Sequence, residues 1–187
     1  MFTTRRAVVA PASAVIATRV TGLKLAHAAA IDLTNIPTSF HEQAMRAAIE
    51  TGRLGYYPFG AVIVRPPSQE LLARGANNSR ANPTYHGEIV CMSNYVALHG
   101  NQDWERCVLY TTGEPCPMCM AALVWAGIGG VVYGTSIATL SQKLGLHQIA
   151  ISASEVVAAA SGFRRVALLG GILDNQTDAN FAHRLKR

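Results

Sequence analysis

Apolar positions change their period repeatedly between residue 30 and the end of the chain. Phe40 to Glu50 places Ala44, Ala47 and Ala48 on one helical face, with Thr38 or Ser39 available as a capping hydroxyl and Gly52 as a stop. Pro58-Phe59-Gly60 then leads into Ala61-Val62-Ile63-Val64, a β-branched run that predicts a strand ended by Pro66-Pro67. Leu71 to Gly75 predicts a short partner strand, and the polar loop Asn77 to Thr84 delivers the chain to His86. Beyond it, Glu88 to Leu98 predicts a helix, Cys107 to Thr112 a strand, Cys116 to Trp125 a helix opening just after Pro115, and Gly130 to Tyr133 a strand. The tail continues with helix at Ser154 to Ala160, strand at Val166 to Leu169 and helix at Asp178 to Arg187. Alternating helices and strands imply an α/β sandwich around a central sheet.

Length and composition narrow this to one unit. A chain of 187 residues that is 50% hydrophobic and 14% charged fits a single compact domain, and it carries no internal repeat or Gly/Ser linker after residue 30. The net charge of +5 would suggest nucleic acid, but its distribution argues otherwise. Arg5, Arg6, Arg19 and Lys24 fall within the first thirty residues, leaving twelve basic against eleven acidic residues in a nearly neutral body. A small neutral substrate is expected, with nucleic acid disfavoured.

The same N-terminal segment reads as an export signal over residues 1–28, with the functional domain at 29–187. Met1 to Arg6 is short and basic, Ala7 to Thr18 is uncharged and mostly apolar, and Ala26-His27-Ala28 has the small-residue spacing of a cleavage site. Arg5-Arg6 resembles a twin-arginine signal, which implies a periplasmic protein exported after folding; the alternative is a cytoplasmic protein with an N-terminal extension. Arg19 and Lys24 follow the weakly apolar run, so no membrane anchor is expected there.

Two short elements carry the chemistry. His86-Gly87-Glu88 opens one predicted helix, and Pro115-Cys116-Pro117-Met118-Cys119 opens another, with Cys116 twenty-eight positions after Glu88. Cys-x-x-Cys spacing lets two thiolates point from a helix's first turn at a common atom, and the positive helix end favours their deprotonated form. Two sulfurs and one imidazole suit Zn²⁺, and three protein ligands leave a fourth position for water. Zinc lowers the pKa of bound water from about 15.7 to roughly 7. Glu88, two residues from a ligand, is placed to move that water's proton without binding the metal.

These residues match the H-x-E…P-C-x-x-C pattern of zinc nucleobase deaminases. The chain resembles the cytidine deaminase-like superfamily, in the branch of guanine deaminases, tRNA adenosine deaminases and fungal-type cytosine deaminases. The likeness runs from about Phe40 to Tyr133, through Pro58-Phe59-Gly60-Ala61-Val62, Asn82-Pro83-Thr84, Leu109-Tyr110-Thr111, Glu114 to Cys119, and Trp125. It implies a three-layer α/β/α sandwich with a central mixed sheet, zinc on His86, Cys116 and Cys119, and Glu88 as the proton shuttle. It also implies substrate contacts at Asn77, Phe59, Ala61 and Glu114, and a homodimer. The expected reaction is hydrolytic deamination of a free nucleobase or nucleoside, a purine such as guanine before a cytosine-type pyrimidine, with tRNA adenosine deamination as the nucleic-acid alternative. Gly87 is similar to fungal cytosine deaminase, whereas most guanine and tRNA adenosine deaminases resemble H-A-E.

Plainer roles are expected elsewhere. Cys91 and Cys107 read as buried thiols, although two cysteines outside the zinc set could pair in an oxidising compartment. His41, His99, His147 and His183 stand in no ligand spacing and are read as surface or hydrogen-bonded histidines. Trp125 reads most simply as core on the second zinc helix, with a dimer contact as the alternative.

Overall fold

The computed structural model describes residues 31–184, so the predicted export signal lies outside the described residues. The elements are α1 (Thr38–Gly52), β1 (Gly60–Val64), β2 (Leu71–Ala76), α2 (Gly87–His99), β3 (Val108–Gly113), α3 (Pro117–Ala126), β4 (Gly130–Thr135), α4 (Ile137–Gln142), α5 (Ala153–Ala159), β5 (Ala167–Leu169) and α6 (Asp174–Arg184). The predicted helix-strand alternation is borne out. Two readings of detail are corrected: α1 starts from Pro37 with no side-chain cap, and α4 was not anticipated.

The five strands form one mixed sheet in the order β2-β1-β3-β4-β5. β1 is antiparallel to both β2 and β3, while β3, β4 and β5 run parallel. Every residue of β1 and of β3 is buried, which is why Ala61-Val62-Ile63-Val64 reads as a continuous apolar run. Successive side chains enter opposite cores. Ala61, Ile63, Leu109 and Val131 join the cluster beneath α2, α3 and α5, including Cys91, Tyr95, Met120 and Leu123. Val62, Val64, Tyr110 and Val132 join the cluster beneath α1, including Phe40, Met45 and Ile49. Helices thus cover both faces, as the three-layer expectation requires.

Gly75 shows how closely the layers meet. A Cβ there would lie 2.2 Å from the backbone nitrogen of Cys91 and 2.3 Å from the carbonyl oxygen of Gly87, so α2 sits on β2 at a distance only glycine permits. His41 fixes the other face: its imidazole bridges the Tyr110 hydroxyl at 2.8 Å and the Leu33 carbonyl at 3.0 Å. Cys91 and Cys107 are free buried thiols, as expected.

Candidate metal centre and active site

Two helix N-termini converge at the C-terminal end of β3. His86 is the N-cap residue of α2, extended at φ −67° and ψ 158°, and Cys116 is the N-cap residue of α3, followed by Pro117 in the first turn. The loop before His86 is held by its own side chains. Asn82 Oδ1 accepts from the backbone nitrogen of Thr84 at 2.9 Å and from its hydroxyl at 2.8 Å, while the backbone nitrogen of Asn78 donates to the Tyr85 carbonyl at 2.8 Å. His86 therefore reaches its position on an ordered turn.

His86, Cys116 and Cys119 offer ligand atoms that all lie within 4.8 Å of one another. His86 Nδ1 stands 3.6 Å from each sulfur. A tetrahedral zinc ion with bonds of about 2.3 Å to sulfur and about 2.0–2.1 Å to nitrogen has a sulfur–nitrogen edge of about 3.6 Å. The spacing and the borderline-soft donor set both fit zinc. Among the described residues this is the group that could hold a metal ion.

Charge is organised around the same atoms. Cys116 is pulled down to about 4, chiefly because Cys119 donates a hydrogen bond to its sulfur, with His86 adding to the effect. Cys119 is pushed up, as the thiol that donates that bond and is buried beside Glu88. The Cys116 sulfur also raises His86. Glu88 is buried, with a carboxylate oxygen 3.4 Å from the Thr111 hydroxyl that donates to it. Burial pushes its carboxyl up to about 7. A carboxyl so poised can both accept and release a proton near neutrality.

A cavity of about 260 Å³ opens onto this cluster and includes His86, Glu88 and Cys116 in its lining. Phe59 and Asn77, two of the predicted substrate contacts, also line it. The Phe59 ring is backed by Phe181 of α6, with centroids 4.6 Å apart. Asn77 Oδ1 accepts from the backbone nitrogen and hydroxyl of Ser79, at 3.3 and 3.0 Å, so its amide NH₂ is the group it can offer to a ligand.

The other two predicted contacts are placed differently. Ala61 is fully buried in the core beneath α2 and is not among the residues lining the cavity, because its strand position points it into the sheet's packed face. Glu114 reaches the cavity lining, but both carboxylate oxygens are taken by backbone: Oε2 accepts from Ile137 N and Oε1 from Ala153 N, each at 2.8 Å.

The remaining wall was missed from the sequence. Tyr57, Ser79, Leu140, Leu146, His147 and Gln148 complete the lining. His147, read as an ordinary surface histidine, faces the site, and no local motif in residues 143–152 signals it. Trp125 is corrected: it is 72% exposed on α3 and packs at a tilt on Phe163, with ring centroids 4.7 Å apart, instead of entering the core.

A model of the cytidine and deoxycytidylate deaminase zinc-binding region matches residues 36–135, more than half of the chain. The chain belongs to this family. The match encloses the His86-Gly87-Glu88 element and both cysteines, so the family supplies the zinc ion that the donor set fits. Its curated relatives include several deaminases. The chain is 37% identical over 98 residues to the guanine deaminase of Bacillus subtilis, covering 51% of this chain and 62% of that protein. It is 28% identical over 134 residues to a Schizosaccharomyces pombe protein described as a probable cytosine deaminase, covering 70% of this chain and 82% of that one. A tRNA-specific adenosine deaminase from Haemophilus influenzae is 33% identical over 112 residues, covering 57% and 64%. Among solved structures, a guanine deaminase from Nitrosomonas europaea superposes with a TM-score of 0.69 at 22% identity, covering 78% of this chain and 85% of that chain. At that identity the likeness establishes the fold.

Proposed function

We propose that this chain hydrolytically deaminates a free nucleobase or nucleoside, with guanine the first substrate to test, and releases ammonia. The observation that carries the reading is the buried Glu88 carboxyl beside a three-ligand His86, Cys116 and Cys119 cluster at the floor of a cavity. When bound, zinc supplies Lewis acidity that makes water nucleophilic near neutral pH. Glu88 would take one proton from the attacking water and pass it to a ring nitrogen, then take the second from the hydroxyl added to the ring carbon and pass it to the departing amine, which leaves as ammonia. Phe59 offers a face for the base, Asn77 donates from its amide, and Ser79, His147 and Gln148 complete the polar lining.

Cytosine is the second reading. It is favoured by Gly87, which departs from the alanine expected of most guanine deaminases, and by the length of the match to the Schizosaccharomyces pombe relative. The near-neutral body disfavours an extended tRNA substrate. Ammonia release should be measured for guanine, adenine, cytosine and their nucleosides, and separately for a tRNA anticodon stem. Turnover of one base or nucleoside is expected; inactivity on all of them, or activity on the RNA alone, overturns this reading.

Two further properties belong to the same proposal. The exposed Trp125 and Phe163 pair suits a homodimer contact. The Arg5-Arg6 segment suits export to a periplasm, with cytoplasmic retention as the alternative, and the intact mass of secreted protein distinguishes them.

A further inference from the structure

We propose that Glu114 is a positioning residue that holds the segment from Ile137 to Ala153 in place as one wall of the substrate cavity. This inference rests on the cavity being the nucleobase site. Glu114 is 6% exposed, and its own backbone nitrogen is pinned to the Thr135 carbonyl at 2.7 Å, beyond the end of β3. Its two oxygens accept from Ile137 N and Ala153 N, the first residues of α4 and α5. First-turn amides have no partner inside their own helix, and a buried carboxylate meets that need with charge-assisted bonds.

One side chain therefore closes both ends of a segment whose middle is weakly held. Leu140, Leu146, His147 and Gln148 come from this segment into the cavity. Between α4 and α5 most side chains are exposed or half-buried, with Ile149 64% exposed. Glu114 also lies two residues before Cys116, so one short stretch of backbone carries both a metal ligand and the anchor of the opposite wall. Small displacements of Glu114 move His147 and Gln148 relative to the reacting atoms.

Glu114→Gln tests the clamp, since an amide keeps the shape but offers one acceptor where two are required. Ala153→Pro tests it from the other side. Proline removes the donor at a helix's first position, where it is tolerated, and the preceding Ser152 already has the extended conformation (φ −73°, ψ 159°) that proline demands. The full chain carrying zinc should be used, with hydrogen exchange across residues 137–153 and steady-state kinetics on guanine, or on cytosine if guanine is not turned over. Exchange in the segment should accelerate roughly tenfold and KM should rise by about the same factor, with kcat within about twofold of wild type. Unchanged exchange overturns the clamp. Faster exchange with an unchanged KM makes Glu114 a fold residue only, and a fall in kcat at constant KM places it at the reacting atoms; either overturns the proposal. If wild-type protein turns over none of the bases and nucleosides, the functional reading fails instead, while the exchange measurement still decides whether Glu114 holds the segment.

Discussion

Gly87 faces the carbonyl oxygen of Phe59 so closely that a Cβ built on it would lie 2.7 Å away. Glycine here, in place of the alanine expected from the family resemblance, allows this backbone approach between the β1 entrance and the first turn of α2. Gly87→Ala is expected to destabilise the protein by about 1–3 kcal/mol, the usual range for overpacking, and to loosen zinc by displacing the adjacent His86. Thermal unfolding and zinc retention against a chelator measure both. A variant with unchanged unfolding temperature and unchanged retention would show that Phe59 yields freely.

Glu88→Gln separates proton transfer from metal binding. The amide preserves the buried shape and leaves His86, Cys116 and Cys119 intact, but it cannot take a proton from water. Zinc content should remain at the wild-type level while kcat falls by roughly 10²- to 10⁴-fold. Activity within tenfold of wild type would remove Glu88 from its assigned role.

Much of this site was legible because its ligands come from two short local patterns, each opening a helix. His86 and Cys116 both occupy N-cap positions, so spacing in sequence translated directly into proximity. The strand at Gly60–Val64 was legible for a related reason: burial on both faces leaves an unbroken apolar run. The opposite wall was not. Residues 143–152 have neither helical nor strand periodicity, and their placement depends on bonds from Glu114, 23 and 39 positions away from Ile137 and Ala153. Trp125 misled for the converse reason: apolarity at a helical position fits an exposed patch as well as a core.

The exposure of Trp125 leads to a test of assembly. If Trp125 and Phe163 form a dimer contact, Trp125→Lys should shift the protein from two chains to one in light scattering, without loss of zinc. A wild-type mass of one chain across the measurable concentration range would contradict the contact.

The start of α5 has its own pH signature. Ser152 and Glu155 form a reciprocal cap, in which the Glu155 carboxylate accepts from the Ser152 backbone nitrogen at 2.8 Å. The Ser152 hydroxyl, with that backbone bond, holds Glu155 below its ordinary value of 4.5. A group whose pKa is lower in the folded state stabilises above its unfolded value and loses that contribution as pH falls through the folded one. The melting-temperature gap between wild type and Glu155→Ala should therefore be present at neutral pH and narrow below the ordinary glutamate range. A gap that widens on acidification would contradict the cap.

Metal analysis of purified protein tests the central claim most directly. Wild type should carry one zinc per chain, lose it together with activity on chelation, and recover both when zinc is restored, whereas Cys119→Ser should fail to retain the ion. Full deaminase activity in a metal-free preparation, or undiminished zinc in Cys119→Ser, would contradict a reaction built on His86, Cys116 and Cys119.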